Sequence, residues 1–570
     1  MVKKNNLNLF QTNVALVITA MFVGLIVSII AQFFSLTAKW VFKNFQSGKH
    51  LDLFELSLFN YDINFLPLIS CLLAGILVCV LIYFFQIDRW HGPADTIYAA
   101  HQKAGTLDIK KGFLSTLAAF FSISGGASVG IYGPLVHFGG TLGAFLRRRT
   151  FMPDIPHDII IGAGVAAAIS AGFSSPIAGI IFAHEVVLRH FSMRALSAIS
   201  LASVTASFLA QEINLVTPNL RFDEVNFIIS DSIPGLIFSG ICAAMVAYLF
   251  MKSLLLSTKI SNSSRIDFKY RPLIPALICG GFGIFIPGAI GLGSETIINV
   301  ITENNTIIFL LLILVSKIFL SSLCIGFGLF GGVFSPALLI GACTGALLYN
   351  VPFLGIDANL SAIFAVSAMA AVSSSVIGGP ITAIVLIFEL TGSYNYAIAS
   401  ILPVALSNLI TYLTFGSSFF DAQLKLRKIP MGHGREHILL SQTSIEKYID
   451  KKYLFLNKEI SIENALKKFS QNNVTEAYFH DSKKIFIGKL KLVKIIGKKN
   501  DKAIKYIEKK YIKLDPSKNI FECIKILSNF VGESIPVIDK NNKFAGIISE
   551  NDVLKAYDQI SHEIRNIEKS

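Results

Sequence analysis

Apolar residues run in long stretches through about the first 420 positions and in short, alternating ones after that. The first stretch, Val14 to Leu36, is long enough to cross a bilayer as one helix. Further apolar segments follow at about 66–86, 113–129, 135–146, 158–171, 177–189, 196–211, 234–252, 272–290, 306–325, 337–350, 360–376, 380–391 and 396–415. Several of these are too short to span a hydrocarbon core of ~30 Å as straight helices. Breaks rich in glycine and proline separate them: SGGASVGIYGP, GFSSPIAG, GFGLFGGVFSP and SSSVIGGPIT. Irregular backbone at membrane depth survives only inside protein or beside a wet cavity. The pattern therefore predicts an all-α, polytopic membrane unit with a site built from broken helices, followed by a small α/β domain in water.

The interrupted segments come in pairs. SPIAGIIFAHE (Ser175–Glu185) and GPITAIVLIFE (Gly379–Glu389) share a Pro-Ile start, an apolar run and a closing Glu, with their prolines 204 positions apart. GIYGP (Gly130–Pro134) and GVFSP (Gly332–Pro336) share Gly and Pro at both ends, with their prolines 202 apart. Two independent pairs at nearly one offset predict a duplicated membrane unit, with repeats at roughly 14–215 and 230–420. Each motif sets glycines before the first turn of a short helix and a proline in it, where the missing N–H has no intrahelical partner to lose. The free N–H groups and positive helix end then face the break. Several such ends converging near the midplane hold an anion without a full buried cation, and chloride suits a site that must also release it.

Composition sharpens this picture. The chain is 53% hydrophobic and only 15% charged, which excludes an ordinary soluble domain of 570 residues. The net charge of +13 reads as cytoplasmic loops plus a Lys-rich tail; no motif speaks for nucleic acid, and none is expected as a partner. Lys3 and Lys4 precede the first apolar run, and no small-residue cleavage site follows it. That run is expected to be a first helix rather than a signal peptide, with the N-terminus cytoplasmic. Six of the seven cysteines lie in apolar runs and none forms a CxxC pair, so neither a disulfide framework nor a zinc site is expected.

HGPAD (His91–Asp95), GIYGP, GVFSP, the two proline-to-glutamate repeats and FFDAQLKLR (Phe419–Arg427) resemble, in that order, the signature stretches of the chloride channel/transporter (CLC) family. The resemblance covers roughly residues 14–430 and implies a homodimer in the lipid bilayer, with one anion path per subunit built from two inverted repeats. It also implies an anion-binding filter at His91 and Gly92, at Gly130, Ile131, Tyr132, Gly133 and Pro134, at Gly332, Val333, Phe334, Ser335 and Pro336, and at Phe420. In GVFSP the amides of Val333 and Phe334 fall where the family lines its central anion site. GIYGP departs from the family's Gly-Arg-Glu-Gly-Pro, so Tyr132 stands at the gating glutamate. The family's central serine falls on His91, its capping tyrosine on Phe420, and its internal proton glutamate on Val186. Tyrosine titrates near pH ~10 and valine not at all, which implies passive anion flow with Tyr132 as the gate. Two alternatives stay open: an anion/proton exchanger with an unusual route through His91, and a non-conducting membrane-anchored sensor. No enzyme activity is expected. Glu185 and Glu389, matched in the two repeats, are expected to be structural caps or partners, and His137 and His184 satisfied core histidines.

The tail holds two units of similar pattern, expected at 443–500 and 501–570 after a linker at 431–442, with the membrane unit at 1–430. The second contains Gly546-Ile-Ile-Ser549-Glu-Asn-Asp552, resembling a CBS domain, in which the hydroxyl and Asp can hold an adenine nucleotide. The first ends GKLKLVK (Gly488–Lys494), with Lys in both places, and reads as degenerate. The Lys-rich stretch 489–510 reads as a solvated face. His433-Gly-Arg-Glu436-His437 fits a zinc-hydrolase pattern but is expected to be a chance match, because the motif needs a helix to align its imidazoles. The expected location is the cell (inner) membrane, with the tail cytoplasmic, transporting chloride or a related small anion and requiring no cofactor or metal.

Overall fold

The computed structural model describes residues 2–46, 55–58, 61–102, 107–149, 156–212, 229–303, 305–349, 360–427, 429, 434–498, 501–508 and 511–569. The chain divides into a helical unit, Met1–Ile429, and a smaller α/β unit, Pro430–Ser570.

The helical unit opens with α1 (Val2–Gln46), a β1–β2 hairpin (Glu55–Leu58, Tyr61–Asn64) and α2 (Leu66–Phe85). Then follow α3 (Pro93–His101), α4 (Ile109–Ser124), α5 (Tyr132–Arg149), α6 (His157–Phe173), α7 (Pro176–Phe182) and α8 (Met193–Glu212). The second half runs through α9 (Ile229–Ser263), α10 (Leu273–Phe285), α11 (Ser294–Thr302), α12 (Ile307–Phe327), α13 (Phe334–Tyr349), α14 (Ser361–Ile377), α15 (Pro380–Thr391), α16 (Tyr394–Thr414) and α17 (Phe419–Leu426). Long apolar stretches in α1, α2, α8, α9, α12 and α16 are sufficient to cross a membrane, while α6, α13, α14 and α15 are shorter apolar helices. This is the multi-pass, broken-helix architecture that the apolar pattern predicts.

The repeat is visible in packing as well as sequence. Helix α6 packs between α5 and α8, and α14 packs in the same way between α13 and α16. Both helix pairs approach at backbone distance: a Cβ on Gly139 would lie 2.2 Å from Gly164 O, and one on Gly345 2.1 Å from Phe364 O. Only glycine permits that approach, so the packing of α5 on α6 and of α13 on α14 is written into small residues. After Phe182 the helix widens into a π-turn over Ala183–Leu188 that carries Glu185 and Val186.

In the tail, α18 (Gly434–Gln442) is followed by α19 (Ile462–Asn472), β3 (Glu476–His480), β4 (Phe486–Lys491), α20 (Ile520–Leu527), β5 (Ser534–Ile538), β6 (Phe544–Ser549) and α21 (Glu550–Lys569). Strands β3 and β4 pair antiparallel, as do β5 and β6. Two boundaries expected from sequence shift. The segment 431–442 is a helix from Gly434 onward, and its Leu439 and Leu440 are buried with Ile445, Ile520 and Val553. The division at 500/501 also moves, because Ala503 packs with Leu456, Ile462 and Phe469 of the first unit. Each unit thus borrows the segment preceding the other: Ser444 bridges Asn519, and Ser461 bridges Lys502. A short apolar segment between two domains goes to whichever core it can reach, and sequence order does not reveal that.

Candidate anion path

Five helix starts carry the proline-led motifs, and the structure divides them into two kinds. At α3, the Gly92 N–H donates to the Asp95 carboxylate at 3.0 Å. At α7, the N–H groups of Ile177 and Ala178 donate to Glu389 at 2.9 and 2.8 Å. At α15, Ile381 and Thr382 N–H donate to Glu185 at 2.9 and 2.8 Å, and the Thr382 hydroxyl adds a bond of 2.7 Å. Glu185 and Glu389 therefore cap each other's repeat, the role expected from their symmetry. At α7 and α15 the first amides already hold a carboxylate and are not open to an anion, and at α3 the carboxylate takes the Gly92 N–H.

Helices α5 and α13 differ. Among the described residues no side-chain oxygen caps their first amides. Their leading glycines join the two repeats instead: Gly130 N–H donates to Gly332 O at 2.8 Å, and Gly332 N–H to Gly130 O at 2.6 Å. The two open helix ends thus start side by side, GIYGP against GVFSP.

Between them stands an aromatic wall. The Tyr132 ring stacks on Phe173 with centroids 3.4 Å apart and planes 13° from parallel. Phe334 meets both edge-on, at 6.0 Å from Tyr132 and 5.5 Å from Phe173. Gly172 makes room for the tyrosine: a Cβ there would lie 3.1 Å from the ring. Two cavities flank this wall, and Tyr132 and Phe173 line both. One, of about 40 Å³, also takes in Ile131, Ser335, Ser294 and Lys39. The other, of about 20 Å³, takes in Pro93, Gly133, Phe334, Thr382 and Phe420. A third, wider space of about 410 Å³ is lined by Glu185, Val186, Arg189, Ser418 and Asp421.

Of the residues expected at the filter, Ile131, Tyr132, Gly133, Phe334, Ser335 and Phe420 line the two cavities, whereas Gly130, Pro134, Gly332, Val333 and Pro336 are not among the lining residues. From HGPAD it is Pro93, not His91 or Gly92, that lines the small cavity. His91 is buried, and its backbone N–H donates to Ser115 Oγ at 2.9 Å. Its ring lies 6.1 Å from that of His137. His137 and His184 depart from the expectation of satisfied core histidines. Their Nδ1 atoms are bonded, to Thr96 Oγ1 and His190 O, but Nε2 of each is buried without a partner among the described residues. Phe420 is held by its helix: Asp421 pairs with Arg189, and Arg427 with Asp95 at 2.9 Å, pinning α17 near both ends. Phe173, Thr382 and Lys39 also line these cavities; Phe173 lay inside GFSSPIAG and Thr382 inside GPITA, but neither was singled out, and Lys39 lay in no motif.

The voltage gated chloride channel family model matches residues 71–412. The chain belongs to that family. Residues 503–559 match the CBS domain model. The chain is 26% identical over 355 residues to a ClcB-like chloride channel protein of Ralstonia nicotianae, covering 61% of this chain and 81% of that one. It is 28% identical over 305 residues to the H(+)/Cl(-) exchange transporter ClcA of Vibrio cholerae, covering half of this chain and 63% of ClcA. Its fold is shared with a slow cyanobacterial Cl-/H+ antiporter at a TM-score of 0.65 and 19% identity, over 72% of this chain and 97% of that one. The protein is an anion-transporting CLC membrane protein and not an enzyme.

In the tail, Ser549 and Asp552 are engaged with one another at the start of α21. Ser549 Oγ donates to Asp552 Oδ2 at 2.6 Å, and its N–H at 2.9 Å. The two lysines of the degenerate unit, Lys491 and Lys494, lie within 3.9 and 3.2 Å of Glu508. Lys489, read as part of a solvated face, is instead buried and pairs with buried Glu476 at 2.6 Å. Of the zinc-like motif, His433 lies outside the described residues.

Proposed function

We propose that this CLC protein conducts small anions passively, as a channel gated at Tyr132. One observation carries the reading: among the described residues, neither cavity beside Tyr132 is lined by an aspartate, glutamate or histidine. A coupled exchanger must hand a proton across the same region, and a buried tyrosine with a reference pKa of ~10 does not do so near neutrality. The anion would rest on the open amides of α5 and α13, including those of Val333 and Phe334, with Tyr132 swinging off Phe173 to connect the cavities.

The test is simultaneous recording of chloride efflux and internal pH from liposomes holding the purified protein. Chloride efflux that requires a potassium shunt and moves no protons is the expected result. Proton movement against its gradient, locked to chloride, would sink the channel reading. It would favour a second reading, exchange through His91 and His137, whose neighbouring rings and unpartnered His137 Nε2 offer a proton-carrying pair. No chloride flux at all would leave the membrane-anchored sensor.

The protein is proposed to act as a homodimer in a cell membrane, with its N-terminus and tail in the cytoplasm. The tail's proposed nucleotide residues are Ser549 and Asp552; an adenine nucleotide would have to displace or share the cap they form. Binding of labelled ATP, AMP and adenosine by the full chain, lost in Asp552→Ala, tests that assignment.

A further inference from the structure

The cavity of about 20 Å³ beside Tyr132 leaves an anion little room. One water molecule needs about 10–15 Å³ of such space, so the cavity holds a bare small ion but not the water shell that the ion carries in solution. An anion that passes here leaves its hydration behind, and what it gains in exchange depends on the lining. Only two polar side chains line the cavity, those of Tyr132 and Thr382, and among the described residues no acidic or basic one does. The rings of Phe173, Phe182, Phe334 and Phe420 and the aliphatic chains of Val136 and Leu386 make up much of the remainder.

The hydroxyl of Thr382 is already committed. Thr382 is 2% exposed, and its Oγ1 donates to Glu185 at 2.7 Å, which leaves no proton for an anion. Arg427, just past the helix that carries Phe420, is likewise engaged: it pairs with Asp95 at 2.9 Å, and Arg89 holds the same carboxylate at 2.7 Å. The ion is then met by the first amides of α5 and α13 and by the Tyr132 hydroxyl. Taking a charge out of water is costly, and only fixed cations or many donors repay that cost in full. With few donors, the cost of dehydration decides which ion enters. Thiocyanate and bromide hold water less firmly than chloride does, and fluoride holds it far more firmly.

We propose that this cavity selects anions by ease of dehydration: it takes weakly hydrated monovalent anions, with thiocyanate and bromide ahead of chloride, and excludes fluoride. Phe420 is the specificity-determining side chain, because a phenyl ring offers the ion no donor. Thr382 adds nothing to the ion, because Glu185 holds its hydroxyl. The inference deepens the anion-path reading of Tyr132 and rests on it, but it is independent of whether protons move, and its primary test does not depend on transport.

Binding of sodium fluoride, chloride, bromide and thiocyanate to the purified full-length protein in detergent is measured by competition calorimetry at constant ionic strength, with gluconate as the balancing anion. Thiocyanate should bind more tightly than chloride by on the order of ten-fold, with bromide between them and fluoride undetected. Phe420→Tyr, which adds one hydroxyl at the cavity, should narrow the gap between thiocyanate and chloride by roughly three-fold. Phe420→Leu adds no donor and should keep the order. Thr382→Val removes a hydroxyl that does not serve the ion and should also keep it; melting temperatures of the three variants show that each is folded. In liposomes, the half-saturating concentrations should follow the same order as the affinities. Chloride bound more tightly than thiocyanate, fluoride bound as well as chloride, an unchanged gap in folded Phe420→Tyr, or no saturable binding to the wild type would each overturn the proposal. Binding in the expected order without any flux would sink the conduction reading, and flux in that order locked to protons would sink the channel reading; both would leave the selectivity standing. Chloride-first flux that moves no protons would do the reverse.

Discussion

Tyr132 occupies the position where the family's resemblance sets a gating acid, and it fills that position with a ring rather than a charge. On the proposed reading of Tyr132 as the gate, closure is a matter of packing, because the ring lies flat on Phe173 and edge-on to Phe334. Tyr132→Ala should therefore open the path, raising chloride flux by at least on the order of ten-fold, equivalent to about 1.4 kcal/mol off the barrier. The same change should lower stability by about 3 kcal/mol, the usual cost of emptying a buried aromatic site. Tyr132→Phe should leave flux and stability near wild type; a large gain of flux in Tyr132→Phe would show that the hydroxyl, not the ring, does the closing. Gly172→Ala tests the wall from the other side. Its Cβ would press on the tyrosine at 3.1 Å, so the stack should loosen and basal flux rise in the same liposome assay. The motif showed that Tyr132 is no acid. Its partner Phe173 was not legible, because an aromatic at the end of an apolar helix has no signature until a second helix brings a ring to it.

At the scale of elements, the paired glutamates do what neither helix could do alone. Each carboxylate accepts amides from the opposite repeat, replacing the caps that α7 and α15 lack locally. Charge-assisted bonds of this kind are worth about 1–2 kcal/mol each at half-buried sites. Glu389→Gln and Glu185→Gln should both lower the melting temperature, with the larger fall for Glu185, which also holds the Thr382 hydroxyl. Neither should alter the ratio of chloride to nitrate flux; a shift in that ratio would place these carboxylates in the anion path. The repeat and the closing Glu were plain in the sequence. That each Glu serves the other repeat was not, since a helix-terminal acid reads the same whichever amides it meets.

In the tail, corresponding helices and strands recur at a constant displacement of 58 positions: α19 and α20, β3 and β5, β4 and β6. The symmetry is broken by Lys489, whose ammonium reaches Glu476 at 2.6 Å and Ser534 O at 2.7 Å in a buried site. Burial holds its pKa below the ordinary lysine value. Removing one member of such a pair strands the other, and Lys489→Met should cost about 3–5 kcal/mol, whereas Lys489→Met with Glu476→Leu should be nearly neutral. Hydrogen exchange over β3–β6 in the full-length protein reads the difference; equal protection in the single and double variants would mean that the pair is not coupled.

What the sequence by itself determined is whatever depends on the order of apolar, glycine and proline positions. That covers the membrane unit and its duplication, the proline-led helix starts, the absence of an acidic residue from GIYGP, and a CBS-like second unit. These are local properties, since the length of an apolar run or the φ of a proline is set by the residues themselves. The tertiary structure decided which helix starts stay open to an anion and which are closed by a carboxylate from elsewhere. It also placed Lys39 and Phe173 at the site, and exchanged the segments 443–450 and 501–508 between the tail's two cores. Each of these is a choice of partner among residues of similar chemistry, and only the folded chain brings the chosen pair within contact.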